Sequence, residues 1–168
     1  QQSGVEFIKM EMGIPGLPAA QVGVDAQVKA LQAGIAHSYP DIQGYPELKK
    51  EASRFVKAFI GLDVAAEGCV PVTGSMQGTF ASFLTCSQSQ QGKDTVLFID
   101  PGFPVQKMQL QVMGVKYETF DVYDYRGEKL AGKLKSYLKN GNICAIVYSN
   151  PNNPAWICLN EQELETIG

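Results

Sequence analysis

The sequence predicts an α/β fold, a mostly parallel sheet covered by helices on both faces. Three runs carry this expectation: CVPVT (69–73), TVLFI (95–99) and ICAIVYS (143–149). They are nearly continuous in apolar residues rather than alternating, the pattern of strands buried on both sides. Each stops at a turn-forming loop, Gly74-Ser75, Asp100-Pro101-Gly102 and Asn150-Pro151-Asn152-Asn153-Pro154. Helical patterns separate them, as parallel strands require. With 168 residues, 45% of them apolar and 18% charged, the chain can form one core and is neither disordered nor fibrous.

Taken in order, Val28, Leu31 and Ile35 give a first short helical face. Pro46 opens a second helix, whose apolar positions are Leu48, Ala52, Phe55 and Phe59. After the strand at 69–73, a helix carries Met76, Phe80, Phe83 and Leu84 and closes near Gly92. The strand at 95–99 leads to a helix with Val105, Met108 and Val112, then to a strand over 115–120. Leu130, Leu134, Tyr137 and Leu138 mark the next helix, ahead of the strand at 143–149. Asn160 followed three residues later by Glu163 has the form of a capping box, with Leu164 and Ile167 starting an apolar face. The sequence stops after about two turns of that helix, short of a typical length. It also begins with glutamine, so a piece of a longer protein is expected.

Composition excludes several function classes. A net charge of −3 disfavours a nucleic-acid or membrane-surface partner. One histidine, His37, leaves almost no material for a His-based zinc site or a Ser-His-Asp triad, and a surface role is expected for it. Cys69, Cys86, Cys144 and Cys158 form no CxxC pair and sit among apolar or small neighbours, so free buried thiols in a reducing cytoplasm are expected, without a metal site. The long uncharged stretches 68–92 and 140–160 carry too many polar residues to cross a bilayer.

Three loops at strand ends hold the candidate chemistry, because parallel α/β sheets bind ligands outside the carboxyl ends of their strands. Gly74 permits a tight bend, Ser75 offers a hydroxyl, and the helix opened by Ser75 and Met76 points free N–H groups at an anion. The same turn also serves as a plain helix cap. Phe103, between Gly102 and Pro104, can stack on a planar ligand or cover the edge of the sheet. Prolines 151 and 154 restrain the backbone and so direct the amides of Asn150, Asn152 and Asn153, which are also ordinary turn formers. A phosphate donor, a flat aromatic and a directed amide together suit a phosphorylated, hydrogen-bonding ring.

At this point the sequence resembles the fold-type-I pyridoxal-phosphate (PLP) enzymes, and among them the class I/II aminotransferases, over nearly its whole length. Gly13-Ile14-Pro15 is similar to the family's early G-x-P segment, which lines the substrate carboxylate pocket. Tyr39-Pro40-Asp41-Ile42-Gln43-Gly44-Tyr45-Pro46-Glu47-Leu48 is similar to its Y-x4-G-x-P-E-L signature. Gly74-Ser75-Met76 matches the phosphate cup, Phe103 the ring-stacking aromatic, and Asn152-Asn153-Pro154 the N-N-P of NPTG.

The resemblance implies the three-layer α/β/α large domain of PLP-dependent transferases, truncated. Residues 1–24 would be an N-terminal segment and 25–168 the first part of that domain. It implies PLP held by Gly74, Ser75, Met76, Phe103 and Asn153, a homodimer in which Tyr39 reaches the partner's phosphate, and substrate contact at Gly13. It also implies amino-group transfer between an amino acid and a 2-oxo acid. A non-catalytic α/β binding module and a PLP-dependent lyase or decarboxylase of the same fold remain the alternatives. The family's Schiff-base lysine and its pyridine-nitrogen aspartate lie beyond residue 168, so no catalytic residue is assigned and the segment alone is expected to be inactive. Two positions depart from the pattern. Trp156 stands where NPTG has glycine, which bears on the pocket's shape, and Met76 offers phosphate only a backbone N–H.

Overall fold

Apolar strands with no polar face need a layer on each side, and the computed structural model provides one on each. It describes Gly4, Ile8, Gly13 and residues 16–168, which divide into two compact units, 1–71 and 72–168. Ile14, Pro15 and most of the VEFIKMEMG run lie outside the described residues.

The first unit holds helix α1 (Gln21–Gln32), a 3-10 turn at Ile35–His37, helix α2 (Pro46–Ile60) and a 3-10 turn at Ala66–Gly68. Pro46 occupies the first turn of α2, where a missing N–H costs nothing, and Gly61 ends the helix at φ 82°, donating to Lys57 O at 3.1 Å. Ser53 Oγ donates to Val64 O at 2.5 Å and Lys57 pairs with Asp63, so the chain leaving α2 folds back along it. Gly44 is needed where it stands. Its φ is 93°, and a Cβ there would come within 2.6 Å of Pro71 Cγ. The apolar faces expected on these helices stay largely exposed: Val28, Leu31, Leu48, Phe55 and Phe59 are each about half or more accessible, and Phe55 and Phe59 stack on each other at 5.3 Å.

In the second unit, helix α3 (Ser75–Ser89) precedes strand β1 (Thr95–Asp100), helix α4 (Pro104–Met113) and strand β2 (Lys116–Asp121). A 3-10 turn (Val122–Tyr125), helix α5 (Glu128–Leu138), strand β3 (Ile143–Val147) and helix α6 (Glu161–Ile167) follow. The sheet is parallel with order β2-β1-β3. The side chains of β1 divide between two cores. Leu97 and Ile99 pack with Phe120, Val122, Leu130, Leu134, Ile143 and Leu159, whereas Val96 and Phe98 pack with Phe83 and Leu110. Full burial of side chains of this size stabilises by about 1.5–3 kcal/mol each. Among the described residues no helix is long and apolar enough to cross a membrane.

Two expectations need correction. The run at 69–73 is not a strand: no ladder pairs it among the described residues, Val70 is exposed, and Pro71 has no N–H to donate. On α4 the buried residue is Leu110, while Met108 and Val112 are exposed, so the helix turns a different face inward than apolar spacing suggested. The cysteines are free as expected, but none is fully buried: Cys69, Cys86 and Cys144 are half-buried and Cys158 is exposed.

The capping box at the start of α6 is present, and its Glu163 does more than cap. It is 1% exposed and receives both arms of Arg126, Nε at 2.6 Å and Nη2 at 2.7 Å, together with the N–H of Gly127 and of Asn160. Arg126 also donates to Cys158 O at 2.9 Å, joining the turn before α5 to the loop before α6. The bidentate guanidinium holds the Glu163 carboxyl at about 2 against burial, which opposes ionisation, and the two backbone N–H groups assist.

A lowered folded-state value means that the stabilisation is fully present above the unfolded value of 4.5 and is lost as pH falls toward about 2. The shift corresponds to about 3 kcal/mol. Urea titrations between pH 7 and pH 2 should show stability falling through that window. Glu163→Gln should cost about 3 kcal/mol at pH 7, by stranding Arg126, and should flatten the acid limb. An unchanged acid limb in the variant would assign the loss to other groups.

Candidate functional site

The chain runs from β1 to β2 on one side and then returns past β1 to β3 on the other, so its order reverses between β1 and β3. In a parallel sheet that reversal opens a crevice at the carboxyl ends of the two strands. Here it is a cleft of about 150 Å³ whose walls include Ile99, Gly102, Phe103, Gln106, Ser149 and Asn153. A second cleft of about 80 Å³, bordered by Ser75, Met76, Thr79, Phe103, Gln106 and Gln109, adjoins it. Phe103 and Gln106 belong to both.

Ser75 and Met76 are the first two residues of α3, behind Gly74 at φ 89°. The helix's own bonding begins with Gln77 N, which donates to Gly74 O at 3.2 Å, so the Ser75 and Met76 amides precede the first helical bond. They sit at the positive end of the helix dipole, where a phosphate is favoured. The turn is held from before, since Thr73 N donates to Gln77 Oε1 at 2.5 Å. Phe103 is the N-cap residue of α4, with Pro104 in its first turn, and remains 44% exposed, so its side chain is accessible from the cleft.

The two asparagines of the β3 loop divide their tasks. Asn152 is 8% exposed and fully engaged: Nδ2 donates to Pro101 O at 2.7 Å, Oδ1 accepts from Ala155 N at 2.9 Å, and its backbone bonds Ile157 and Trp156. It thereby joins the loop after β3 to the loop after β1. Asn153 is exposed on the cleft, and among the described residues its side chain has no hydrogen-bond partner. Of the sequence-predicted residues, Ser75, Met76, Phe103 and Asn153 thus border the two adjoining clefts, with Gly74 directly behind the helix start. Tyr39 and Gly13 belong to the other unit. Tyr39 is fully exposed beside a depression of about 490 Å³ lined with Ile35, Pro40 and Tyr45, and Gly13 is exposed with open space at its Cβ position.

Sequence reasoning did not find Gln106, Gln109 or the work of Asn152. Gln106 and Gln109 are spaced one helical turn apart on α4, a signal available in the sequence but masked by the apolar positions expected there. Nothing in the sequence distinguishes Asn152 from its neighbour. At the end of β1, Lys107 and Thr119 both bond Asp100 Oδ2, so this carboxylate enters the strand end already paired with a cation.

A helix start with unengaged amides, a half-open aromatic ring and an unengaged carboxamide thus meet around one switch point. The comparisons with known proteins give the class. Residues 6–168 match the family Aminotransferase class I and II, and the chain belongs to that family. It is 26% identical over 158 residues to LL-diaminopimelate aminotransferase of Natranaerobius thermophilus, covering 92% of this chain and 39% of that protein. It is 26% identical over 163 residues to the probable N-acetyl-LL-diaminopimelate aminotransferase of Bacillus subtilis, covering 96% and 40%. A double mutant of Thermus thermophilus aspartate aminotransferase shares the fold, with a TM-score of 0.77 at 20% identity over 92% of this chain and 40% of that one. The chain therefore spans about 40% of the length of the curated relatives it matches.

Trp156 borders neither cleft. It is 93% exposed and takes φ 62°, the left-handed conformation that glycine adopts freely. Its backbone N–H donates to Asn152 O at 3.0 Å, which holds the residue in that conformation. Trp156→Gly loses almost no burial and relieves about 1–2 kcal/mol of left-handed strain, offset by about 0.5–1 kcal/mol of extra unfolded-state entropy. A net gain of about 0.5–1 kcal/mol is expected in denaturant titrations. A loss of stability would show that the indole is packed in solution.

Proposed function

We propose that this segment is the first part of a PLP-dependent aminotransferase that moves an amino group between an amino acid and a 2-oxo acid. The observation that carries the reading is the arrangement of Ser75, Met76, Phe103 and Asn153 around two clefts that share Phe103 and Gln106. The donor set fits the cofactor: unengaged amides suit its phosphate, an accessible aromatic side chain its ring, and an unpartnered carboxamide its phenolic oxygen. When bound, PLP supplies an electron-withdrawing ring that stabilises negative charge at the carbon bearing the amino group.

In this reading each residue has one task. The Ser75 and Met76 N–H groups and the Ser75 hydroxyl bind phosphate, with Gly74 leaving room for the approach. Phe103 stacks on the ring and keeps water from that side. Asn153 Nδ2 donates to the phenolic oxygen, and Asn152 keeps the Asn153 backbone in place. Residues 1–24 form an N-terminal segment in which Gly13 lines the substrate carboxylate pocket, and 25–168 begin the large domain. Tyr39 donates its hydroxyl proton to the partner's phosphate in a homodimer, a role its full exposure allows. The Schiff-base lysine comes from beyond residue 168, and the segment alone is inactive. Free thiols at all four cysteines suit a cytoplasmic setting.

The test is PLP titration of a full-length chain, followed by absorbance and by phosphate competition. Ser75→Ala should weaken PLP by about fivefold, the worth of one charge-assisted hydrogen bond near 1 kcal/mol. An unaltered affinity would move the phosphate away from α3.

Tyr39→Phe should lower PLP affinity by a similar factor, about 1 kcal/mol, and should do so only in the dimer. Equal losses in a monomeric variant would mean that Tyr39 does not act across an interface.

A further inference from the structure

The anion turn is braced from outside its own helix. Gln109, on α4, donates from Nε2 to Met76 O at 2.8 Å. Thr79 Oγ1, one turn into α3, lies 2.9 Å from Gln109 Oε1 and 3.1 Å from Met76 O. A single arrangement satisfies all three groups. The Gln109 amide gives its proton to the Met76 carbonyl, and the Thr79 hydroxyl gives its proton to Gln109 Oε1. The flipped amide would set two oxygens against each other at Met76.

The position of this clasp makes it more than a helix–helix contact. Met76 lies in the first turn of α3, and its carbonyl shares a peptide plane with the Gln77 N–H, which closes that turn on Gly74 O at 3.2 Å. Holding this plane steadies the turn that also carries the Ser75 and Met76 N–H groups. Gln109 also belongs to the helix that Phe103 begins, about 9 Å further along its axis at 1.5 Å per residue. One side chain therefore ties the element carrying the anion donors to the element carrying the stacking ring. The side chains of Gln106, Gln109 and Thr79 border the same cleft as Ser75, Met76 and Phe103, so the clasp is part of the wall it braces.

We propose that Gln109, seated by Thr79, is a positioning residue that sets the spacing and direction of the anion-binding turn relative to Phe103. It acts through the Met76 carbonyl rather than by touching the ligand. The proposal rests on the cofactor reading above.

The experiment uses a full-length chain, with PLP as the probe and three readouts: PLP affinity, the 31P resonance of the bound phosphate, and the thermal midpoint of the apo-protein. Gln109→Met keeps the side-chain length and removes both hydrogen bonds. It should weaken PLP by about five- to tenfold and shift or broaden the phosphate resonance. Thr79→Val keeps the shape and removes only the hydroxyl, and should move both readouts in the same direction by less. Unaltered affinity and resonance in the two variants, even with a lowered apo midpoint, would overturn the proposal and leave Gln109 a packing contact. Should Gln109→Met fail to fold, Thr79→Val decides by the same two readouts. A wild-type chain that binds no PLP sinks the cofactor reading and the proposal together. Binding weakened by Ser75→Ala but not by Gln109→Met sinks the proposal alone.

Discussion

Burial of β1 on both faces is the constraint from which the second unit follows. Val96 and Leu97 are completely inaccessible, Phe98 and Ile99 nearly so, and successive side chains point into opposite cores. Between Thr95 and Asp100 the strand is wholly apolar and tolerates no missing layer, so α3 and α4 cover one side and α5 the other. It also occupies the middle of the sheet, hydrogen-bonded to β2 and β3, and so every strand-end loop is positioned by reference to it. Side chains at the strand's end change character at once: Asp100 is polar and paired with Lys107, and Phe103 is half-open. The site begins where the core stops.

Apolar packing places these loops beside one another but does not orient them, and polar bonds supply the orientation. Asn152 links the β3 loop to Pro101 O, Gln77 takes the Thr73 amide, and Arg126 with Glu163 ties the chain before α5 to the start of α6. Asn152 has both hydrogen-bonding ends satisfied, Gln77 accepts through its carbonyl oxygen, and the Glu163 charge is surrounded by donors. Such bonds are directional, and a displaced partner leaves a poorly solvated polar group unpaired, at about 1–3 kcal/mol. The groups facing the clefts, Asn153 and the first amides of α3, are those left without protein partners among the described residues. Engaged residues and free residues alternate along the same loops.

Backbone rather than side-chain chemistry dominates the anion turn. Met76 brings no polar side-chain group, yet its amide points from the helix start and its carbonyl receives the clasp from α4. Trp156 shows the converse. Its large side chain lies in solvent, and what its position contributes is a left-handed backbone that closes the loop around Asn152. At both positions the loop uses the backbone conformation rather than the side chain.

The α/β class, the strands at 95–100 and 143–147, the helix at Pro46 and the cap at Asn160 were legible in the sequence, because each rests on periodicity or on a local cap that neighbouring residues complete alone. The helix start after Gly74 and the strand-end loops carrying Phe103 and Asn153 were legible too, although the Gly74 turn follows no strand. Tertiary structure decided the rest. The run at 69–73 has strand-like composition, but a strand exists only where another strand offers its edge, and Pro71 weakens its own edge. Apolar spacing on α4 could not reveal that Leu110 faces the sheet while Met108 and Val112 face solvent, since that depends on how the helix lies on β1 and β2. The separate tasks of Asn152 and Asn153, the meeting of Arg126 with Glu163, and the grip of Gln109 on Met76 join residues distant in sequence or alike in type. A hydrogen bond between them is set by distance and angle in space, and those quantities exist only once the cores on both sides of β1 have formed.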